Sequence, residues 1–168
     1  MEKKRLAVLG NKNPEKVYPE RVGVYALPVT FNPATNSYLI AVAGVKKPHK
    51  ETIDYHLFGG AEEPDDAGNH LSTLERELRE EAGCSIEVSQ EDYIHRIDEY
   101  VEAKTLECEK IGYYYYVKII EQVQEPIESN HTIVVMPIEE ALKKLHHPSA
   151  RMIVWYYMKM KGILDLAE

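Results

Sequence analysis

Three glutamates lie on one face of a predicted helix. Glu77, Glu80 and Glu81 occupy positions i, i+3 and i+4 in the segment RELREEAG, residues 76–83. On an α-helix these offsets share one face, where like charges repel by roughly a few tenths of a kcal/mol per pair. A hard divalent cation relieves this repulsion, because Mg²⁺ takes oxygen ligands and is commonly shared with substrate phosphates. The spacing therefore predicts a helix whose acidic face holds a metal ion.

The flanking residues predict the limits of this helix. Leu71, Leu74 and Leu78 follow helical spacing and form an apolar stripe beside the acids. Asn69 is a predicted N-cap, and Gly83 is a predicted left-handed residue that ends the helix. We therefore expect one side of the helix to pack into a core while the adjacent side presents the three carboxylates.

A glycine pair precedes the helix. Gly59 and Gly60 follow the apolar residues Leu57 and Phe58, which predicts a strand that ends in a loop. Glycine allows the backbone of such a loop to approach a ligand closely. The predicted order is therefore a strand, a glycine loop and an acidic helix.

This order resembles the signature of the Nudix hydrolases, G-x5-E-x7-R-E-U-x-E-E-x-G-U, in which U is a bulky aliphatic residue. Cys84 stands at the last U position as a small hydrophobic residue. Six positions of the second half match in register: Arg76, Glu77, Leu78, Glu80, Glu81 and Gly83. With the glycine pair upstream, this match favours a metal-binding face over an ordinary solvated helix face.

The first half of the signature departs from the family pattern. Counted forward from Gly60, the first glutamate of the family falls on Asp66. Counted back from Arg76, it falls on Gly68. We therefore predict two extra residues within the segment 63–70, forming an enlarged loop that leaves the register of the helix unchanged.

The resemblance implies roles for the matched residues. It implies an Mg²⁺ or Mn²⁺ site formed by Glu77, Glu80 and Glu81, with the carbonyl of Gly59 as a further ligand. It also implies catalytic roles for Glu77 and Glu80, and that Arg76 orients Glu77.

The general base is a separate question. Family members take it either from the signature helix or from a distal loop. Glu128, which precedes a predicted strand at 132–136, is the distal candidate, and Glu121 and Glu125 are weaker ones. The alternative for Glu128 is a solvated loop residue.

The rest of the chain predicts one α/β domain. Predicted strands cover 22–31, 37–45, 52–58, 85–88, 93–101, 111–120 and 132–136, with a hairpin turn at 32–36. Predicted helices cover 137–145 and 150–161, the latter with Ser149 as its N-cap. Strands with helices at both ends favour a mixed sheet between helices. The resemblance implies a Nudix-type α/β/α sandwich, with a core at about residues 20–160 of a single domain, 1–168.

Tyrosines and basic residues are candidates for substrate binding. Tyr113 to Tyr116 alternate between the two faces of a predicted strand, so one pair packs in a core. Tyr114 and Tyr116 are the candidates for stacking on a nucleobase, with plain packing as the alternative. Lys47, in a basic loop, is a candidate phosphate contact or an ordinary surface residue. His146 and His147 do not have the spacing of metal ligands. We predict that they lie at the surface or cap a helix.

Composition limits the partners. The net charge of −8 makes non-specific nucleic-acid binding unfavourable, because that binding depends on neutralising phosphates. Two cysteines predict no disulfide framework, and Cys84 is predicted as a buried thiol. No apolar run approaches the roughly 20 residues that cross a bilayer, and no signal-peptide core follows the charged N-terminus. We therefore expect a cytoplasmic protein that acts on a small anionic nucleotide, with a homodimer as a candidate assembly.

The predicted function is metal-dependent hydrolysis of a pyrophosphate linkage in a nucleoside diphosphate joined to another group. A cation held by the three glutamates would neutralise the charge that protects this linkage from nucleophiles and would lower the pKa of the attacking water. A nucleoside triphosphate or a similar small nucleotide is favoured as substrate. The alternative is a nucleotide-sensing module that keeps the fold without turnover, but such a module has no need of three intact glutamates.

Overall fold

A computed structural model of the chain describes residues 3–66, 68–103 and 106–164. The strands of these residues are β1 (Arg5–Leu9), β2 (Glu20–Leu27), β3 (Val29–Asn32), β4 (Ser37–Lys46), β5 (Ile53–His56), β6 (Gly59–Ala61), β7 (Cys84–Glu87), β8 (Tyr93–Ala103), β9 (Leu106–Tyr116), β10 (Lys118–Gln122) and β11 (His131–Pro137). The helices are α1 (His70–Ala82), α2 (Ile138–Lys144) and α3 (Pro148–Met160). None of these helices is long and apolar enough to cross a membrane.

The strands form one mixed sheet and two antiparallel ones. The mixed sheet has the order β1-β8-β9-β2-β6. In it β1 runs parallel to β8 and β2 parallel to β9, while β8/β9 and β2/β6 are antiparallel. A second sheet has the order β11-β4-β3, with β5 also paired to β4, and β7 pairs with β10.

Helices cover both faces of the mixed sheet. On one face Leu74 and Leu78 of α1 pack in a cluster that includes Val24 of β2. On the other face Ile153 of α3 shares a cluster with Leu27 of β2. The two clusters form the core on either side of the sheet. This arrangement confirms the predicted α/β/α sandwich with a mixed sheet.

Two predicted strands are each divided in the structure. The predicted strand at 22–31 becomes β2 and β3, separated by Pro28, which has no N–H for a ladder and whose carbonyl accepts a hydrogen bond from Ala41 N at 3.1 Å. The predicted strand at 111–120 becomes β9 and β10, separated at Val117, whose N–H donates to the Leu27 carbonyl at 3.2 Å. At each break the chain leaves the mixed sheet for another sheet.

The first strand and the last helix of the chain also differ from the prediction. β1 was not predicted, because its charged surroundings hide a short edge strand that pairs with β8 from Arg5 onward. The prediction of Ser149 as an N-cap is wrong. The helix starts two residues earlier than predicted, at Pro148, and His147 precedes it with an extended backbone. Proline is well suited to the first helical position because it lacks the N–H that would be unsatisfied there.

The predicted limits of α1 are confirmed. The Asn69 side chain accepts hydrogen bonds from Leu71 N at 3.1 Å and Ser72 N at 3.3 Å. Gly83 ends the helix in the left-handed conformation, with φ 65°. Residues 64–66 form a short 3₁₀ turn before the helix, so the enlarged loop is accommodated without a change of helical register.

Leu74→Ala tests the packing of α1. Leu74 is 0% exposed, so its truncation should lower the free energy of unfolding by about 2–5 kcal/mol. Urea denaturation measures this change. The neighbouring exposed residue supplies the control, because Glu75→Ala should change stability by only about 0.5 kcal/mol or less. Equal losses in the two variants would contradict the packing described here.

Candidate metal-binding and active site

The acidic face of α1 lies directly against the glycine pair of β6. Gly59 N donates a hydrogen bond to Glu81 Oε2 at 2.9 Å. A Cβ placed on Gly60 would stand 2.5 Å from Glu77 Oε1, and one on Gly59 would stand 2.2 Å from the Val24 carbonyl oxygen. Gly59 also has a φ of 138°, which side chains rarely adopt. Glycine at 60 lets the Glu77 carboxylate come this close to the strand, and glycine at 59 adopts the backbone conformation that pairs with β2.

Arg76 connects the acids to the loop before α1. Its Nη1 donates to Glu77 Oε1 at 2.8 Å and to Glu80 Oε2 at 3.3 Å. Its Nη2 donates to the Ala61 carbonyl at 3.1 Å and to Asp66 Oδ2 at 3.0 Å. The contact with Glu77 that the resemblance implied is therefore present.

Asp66 fastens the enlarged loop to the helix. Besides Arg76, it accepts hydrogen bonds from Thr73 Oγ1 at 3.0 Å and Glu63 N at 2.9 Å. The hydrogen bond from Arg76 is the main reason that the pKa of Asp66 falls to about 2, against the opposing effect of burial. Counted forward from Gly60, the first glutamate of the family pattern falls on Asp66. The structure shows that Asp66 is one of the acids that contact Arg76.

The carboxylates of Glu77 and Glu81 lie in an environment that disfavours their ionised forms. Burial is the largest cause that raises the pKa of Glu81 to about 8. The Gly59 N–H opposes this shift, while the charges of Glu77, Glu128 and Glu80 add to it. Burial also raises the pKa of Glu77, although Arg76 opposes it. At neutral pH, Glu81 therefore keeps a proton unless a cation displaces it.

The loop before β11 brings Glu128 to this face. Ile127 N and Glu128 N donate to the Glu80 carbonyl at 2.8 and 3.3 Å. His131 Nδ1 lies 2.9 Å from Glu128 Oε2, and its Nε2 lies 3.6 Å from Glu81 Oε1. Ligand atoms of Glu81, Glu128 and His131 lie within 4.8 Å of one another. Sequence reasoning missed His131, although its position three residues after Glu128 was a usable signal.

A cavity of about 270 Å³ opens beside the acidic face, lined by Gly59 and Glu81 among others. Tyr25 and Tyr114 line it as a stacked pair, with ring centroids 5.4 Å apart and planes at 26°. The other lining residues are Val45, His56, Leu57, Lys110, His131, His147, Ser149 and Ala150. Sequence reasoning identified Tyr114 but missed Tyr25, which lies on the neighbouring strand in register with it.

A family model described as NUDIX domain matches residues 19–156. The chain belongs to this family. This confirms the family that the signature predicted and supports the prediction of a pyrophosphohydrolase. A search of the curated proteins gives no match.

Solved Nudix structures share the fold at low sequence identity. A NUDIX hydrolase from Nitrosomonas europaea is 15% identical with a TM-score of 0.64, over 88% of this chain and 96% of that chain. An Ap4A hydrolase from C. elegans, in a binary complex, is 14% identical with a TM-score of 0.61, over 87% and 99% of the two chains. The NUDIX domain of Shewanella oneidensis NrtR, complexed with ADP ribose, is 14% identical with a TM-score of 0.58, over 89% and 94%.

The acidic face of this Nudix domain has the chemistry of a divalent-cation site. Carboxylate oxygens are the ligands that Mg²⁺ and Mn²⁺ prefer, and a bound cation would offset the burial and the neighbouring negative charges that raise the pKa of Glu81. The predicted ligands overlap only in part with the group formed by Glu81, Glu128 and His131. Glu81 belongs to both, whereas oxygens of Glu77 and Glu80 are engaged by Arg76.

Two of the predicted substrate contacts lie apart from the cavity lining. The Tyr116 ring stacks parallel to that of Tyr157 at 6.3 Å, on the α3 side of the core. Lys47 is exposed, and its Nζ pairs with Asp54 Oδ2 at 3.2 Å. Tyr114 does line the cavity, but at 2% exposure it mainly supports the ring of Tyr25.

Glu81→Gln tests the electrostatics of the acidic face. Because folding raises the pKa of Glu81 from 4.5 to about 8, its contribution to stability is present below pH 4.5 and is lost as the pH rises through 8. Glutamine stays neutral, and its carbonyl oxygen still accepts the Gly59 N–H. In EDTA the variant should therefore melt close to wild type near pH 4.5 and above it at pH 8.5.

Thermal melts at the two pH values measure this difference. The control is Glu75→Gln, an exposed change on the same helix, which should leave the pH profile unaltered. If the melting temperatures of wild type and Glu81→Gln instead change with pH in parallel, ionisation of Glu81 does not lower the stability of the fold.

Proposed function

We propose that this Nudix domain hydrolyses the pyrophosphate linkage of a nucleoside diphosphate joined to another group, with a divalent cation. The observation that carries the proposal is the buried carboxylate of Glu81 on Gly59, surrounded by further acids and opening onto the cavity. A nucleoside triphosphate or a related small nucleotide is the favoured substrate class. The net charge of −8 agrees with a small substrate rather than a nucleic acid.

Glu77, Glu80 and Glu81 would hold Mg²⁺ or Mn²⁺, with the Gly59 carbonyl as a further ligand. When bound, the cation supplies positive charge to the phosphates and Lewis acidity towards the nucleophilic water. Arg76 is a positioning residue in this proposal. Its hydrogen bonds fix the Glu77 carboxylate before substrate arrives, so little reorganisation is needed during the reaction.

Glu128 is the proposed general base. Its side chain is 43% exposed, so it can reach water, and His131 holds one of its oxygens at 2.9 Å. It accepts a proton from the water as the new P–O bond forms and the bridging P–O bond breaks. The leaving phosphate group keeps the bridging oxygen and both electrons of the broken bond. Glu80 is the alternative base, on the helix itself.

Tyr25 is the proposed stacking surface for a base or sugar. Its ring is less buried than that of Tyr114, which supports it from behind. The predicted contacts through Tyr116 and Lys47 stay predictions, as do a homodimer and a cytoplasmic location.

A substrate panel tests the proposed function. Nucleoside triphosphates, ADP-ribose, dinucleoside polyphosphates and capped RNA are incubated with the protein in Mg²⁺ and in EDTA. We expect cleavage of at least one compound with Mg²⁺ and none with EDTA. Binding of a compound without turnover would instead favour a sensing module.

Glu80→Gln tests the acidic face in catalysis. The change removes one charge and keeps the size, so turnover should fall by about 10² or more, as it does on loss of key electrostatic groups. The melting temperature should stay close to wild type, because the Glu80 side chain is 36% exposed. Glu75→Gln, on the exposed side of α1, should retain full activity. A fully active Glu80→Gln enzyme would leave this glutamate as solvated surface.

Glu128→Gln tests the general base. Loss of the base should lower kcat by about 10²–10⁴ and remove the acidic limb of the kcat–pH profile. The matched control is Glu75→Gln, an exposed change on α1 at a residue with no proposed role. If the acidic limb survives in the Glu128 variant, Glu80 becomes the stronger candidate.

A further inference from the structure

The N-terminus of α3 opens into the same cavity without a side-chain cap. His147 occupies the N-cap position but makes no capping hydrogen bond through its side chain. Backbone N–H groups in the first turn of a helix have no partner within the helix, and those of Ser149 and Ala150 belong to this turn. Both residues line the cavity. The helix therefore presents unsatisfied donors and the positive end of its dipole to a space large enough for a ligand.

The hydroxyl of Ser149 points independently to a ligand. Ser149 is 2% exposed, and its Oγ has no hydrogen-bond partner among the described residues. The Tyr114 hydroxyl lies beside it without completing a hydrogen bond. A buried hydroxyl left without a partner destabilises a fold, so most such groups in proteins are satisfied. A ligand in the cavity would supply the missing partner.

The surrounding side chains favour an anion. Lys110 lines the cavity, with its Nζ 4.7 Å from the centroid of the Tyr25 ring. The imidazoles of His56 and His147 lie 5.2 Å apart and also line it. Burial and then the positive charge of Lys110 lower the pKa of His147 to about 4, so its imidazole is neutral near pH 7 and offers an N–H donor and no charge. Three carboxylates are nearby: Asp54 is paired with Lys47, Glu81 lines the cavity on the Gly59 side, and Glu99 lies opposite Lys110 in the β8/β9 pair.

This group of donors is separate from the acidic face. In the mixed sheet Tyr25 is paired with Gly59 on one side and with Tyr114 on the other. Gly59 carries the contact with Glu81, whereas Tyr114 lies beside Ser149. Two strand spacings separate these positions, which amounts to about 10 Å. A phosphate bound at Ser149 is therefore a different group from one bound at the acids.

We propose that the N-terminus of α3, with Ser149 Oγ, Lys110 and His147, binds a phosphate group of the substrate that lies beyond the linkage cleaved at the acidic face. Helix N-termini, hydroxyls and lysines are common phosphate ligands. The identity of the substrate rests on the proposed function, whereas the phosphate site does not require turnover. The site selects for compounds with three or more phosphates over those with two.

Inorganic phosphate is the probe, added to the protein in EDTA and followed by amide NMR spectra. We expect saturable shifts of the Ser149 and Ala150 amides. Ser149→Ala and Lys110→Met should each weaken binding about tenfold, because each removes a hydrogen bond to a charged group. The controls are Ser72→Ala, in the first turn of α1, and Lys118→Met, exposed on β10. Absence of saturable shifts at these two amides, or unchanged affinity in both site variants, would overturn the proposal.

Stability separates a binding role for Ser149 from a structural one. Because the hydroxyl has no partner in the free protein, Ser149→Ala should melt at the wild-type temperature or above it. A lower melting temperature would assign the serine to packing and contradict the proposal.

Kinetics link the phosphate site to the proposed function. Ser149→Ala should raise KM about tenfold for a triphosphate substrate, by the same lost hydrogen bond, with little change for ADP-ribose. Phosphate binding without hydrolysis of any compound would support the phosphate site at α3 and contradict the proposed function. Hydrolysis without phosphate binding at α3 would overturn this inference alone.

Discussion

Direct contact between the acidic helix and a pair of glycines underlies the geometry of the site. Glu81 reaches the N–H of Gly59, and Glu77 lies over Gly60 at a distance that no Cβ would permit. A side chain at Gly60 would displace the Glu77 carboxylate, and one at Gly59 would clash with the backbone of β2. The position of the carboxylates therefore depends on the glycines of β6. Burial at this position makes the acids costly to ionise without a cation.

The free protein limits this charge repulsion in two ways. Arg76 binds the carboxylates of Glu77, Glu80 and Asp66 at once, while the pKa of Glu81 rises until it keeps a proton at neutral pH. A cation that recruits Glu77 and Glu80 must compete with Arg76 for their oxygens. It must also displace the proton of Glu81, so binding becomes more favourable as the pH rises. The arginine thus both pre-orients the acids and weakens their hold on the metal.

The parts of the fold that follow local rules were predictable from sequence. Helical spacing, an N-cap and a left-handed glycine depend on residues within a few positions of one another, so α1 agreed with its prediction at both ends. The strand breaks were harder to predict, because Pro28 and Val117 mark places where the chain changes sheets. A run of β-forming residues does not show which strand it will pair with.

The parts of the site that depend on long-range contacts were not predictable in the same way. Glu128 reaches the acids because the loop before β11 bonds to the Glu80 carbonyl, 48 positions earlier by residue number. Tyr25 joins Tyr114 only through the register of two parallel strands that are far apart in the chain. Ser149 had the residue type of a cap, but the proline before it starts the helix and leaves the serine inside the first turn. The same displacement turns its hydroxyl into an unsatisfied group in the cavity.

The floor of the cavity depends on a second pair of glycines. Gly23 of β2 and Gly112 of β9 are direct partners in the mixed sheet. A Cβ on Gly23 would stand 2.6 Å from the Tyr25 hydroxyl, and one on Gly112 would stand 2.9 Å from the Tyr114 hydroxyl. Each tyrosine ring therefore lies back over the glycine two residues before it, and a side chain at either glycine would require that ring to move. Because both rings rest on paired strands rather than on loops, the space between the acids and α3 is held open by the backbone of the sheet.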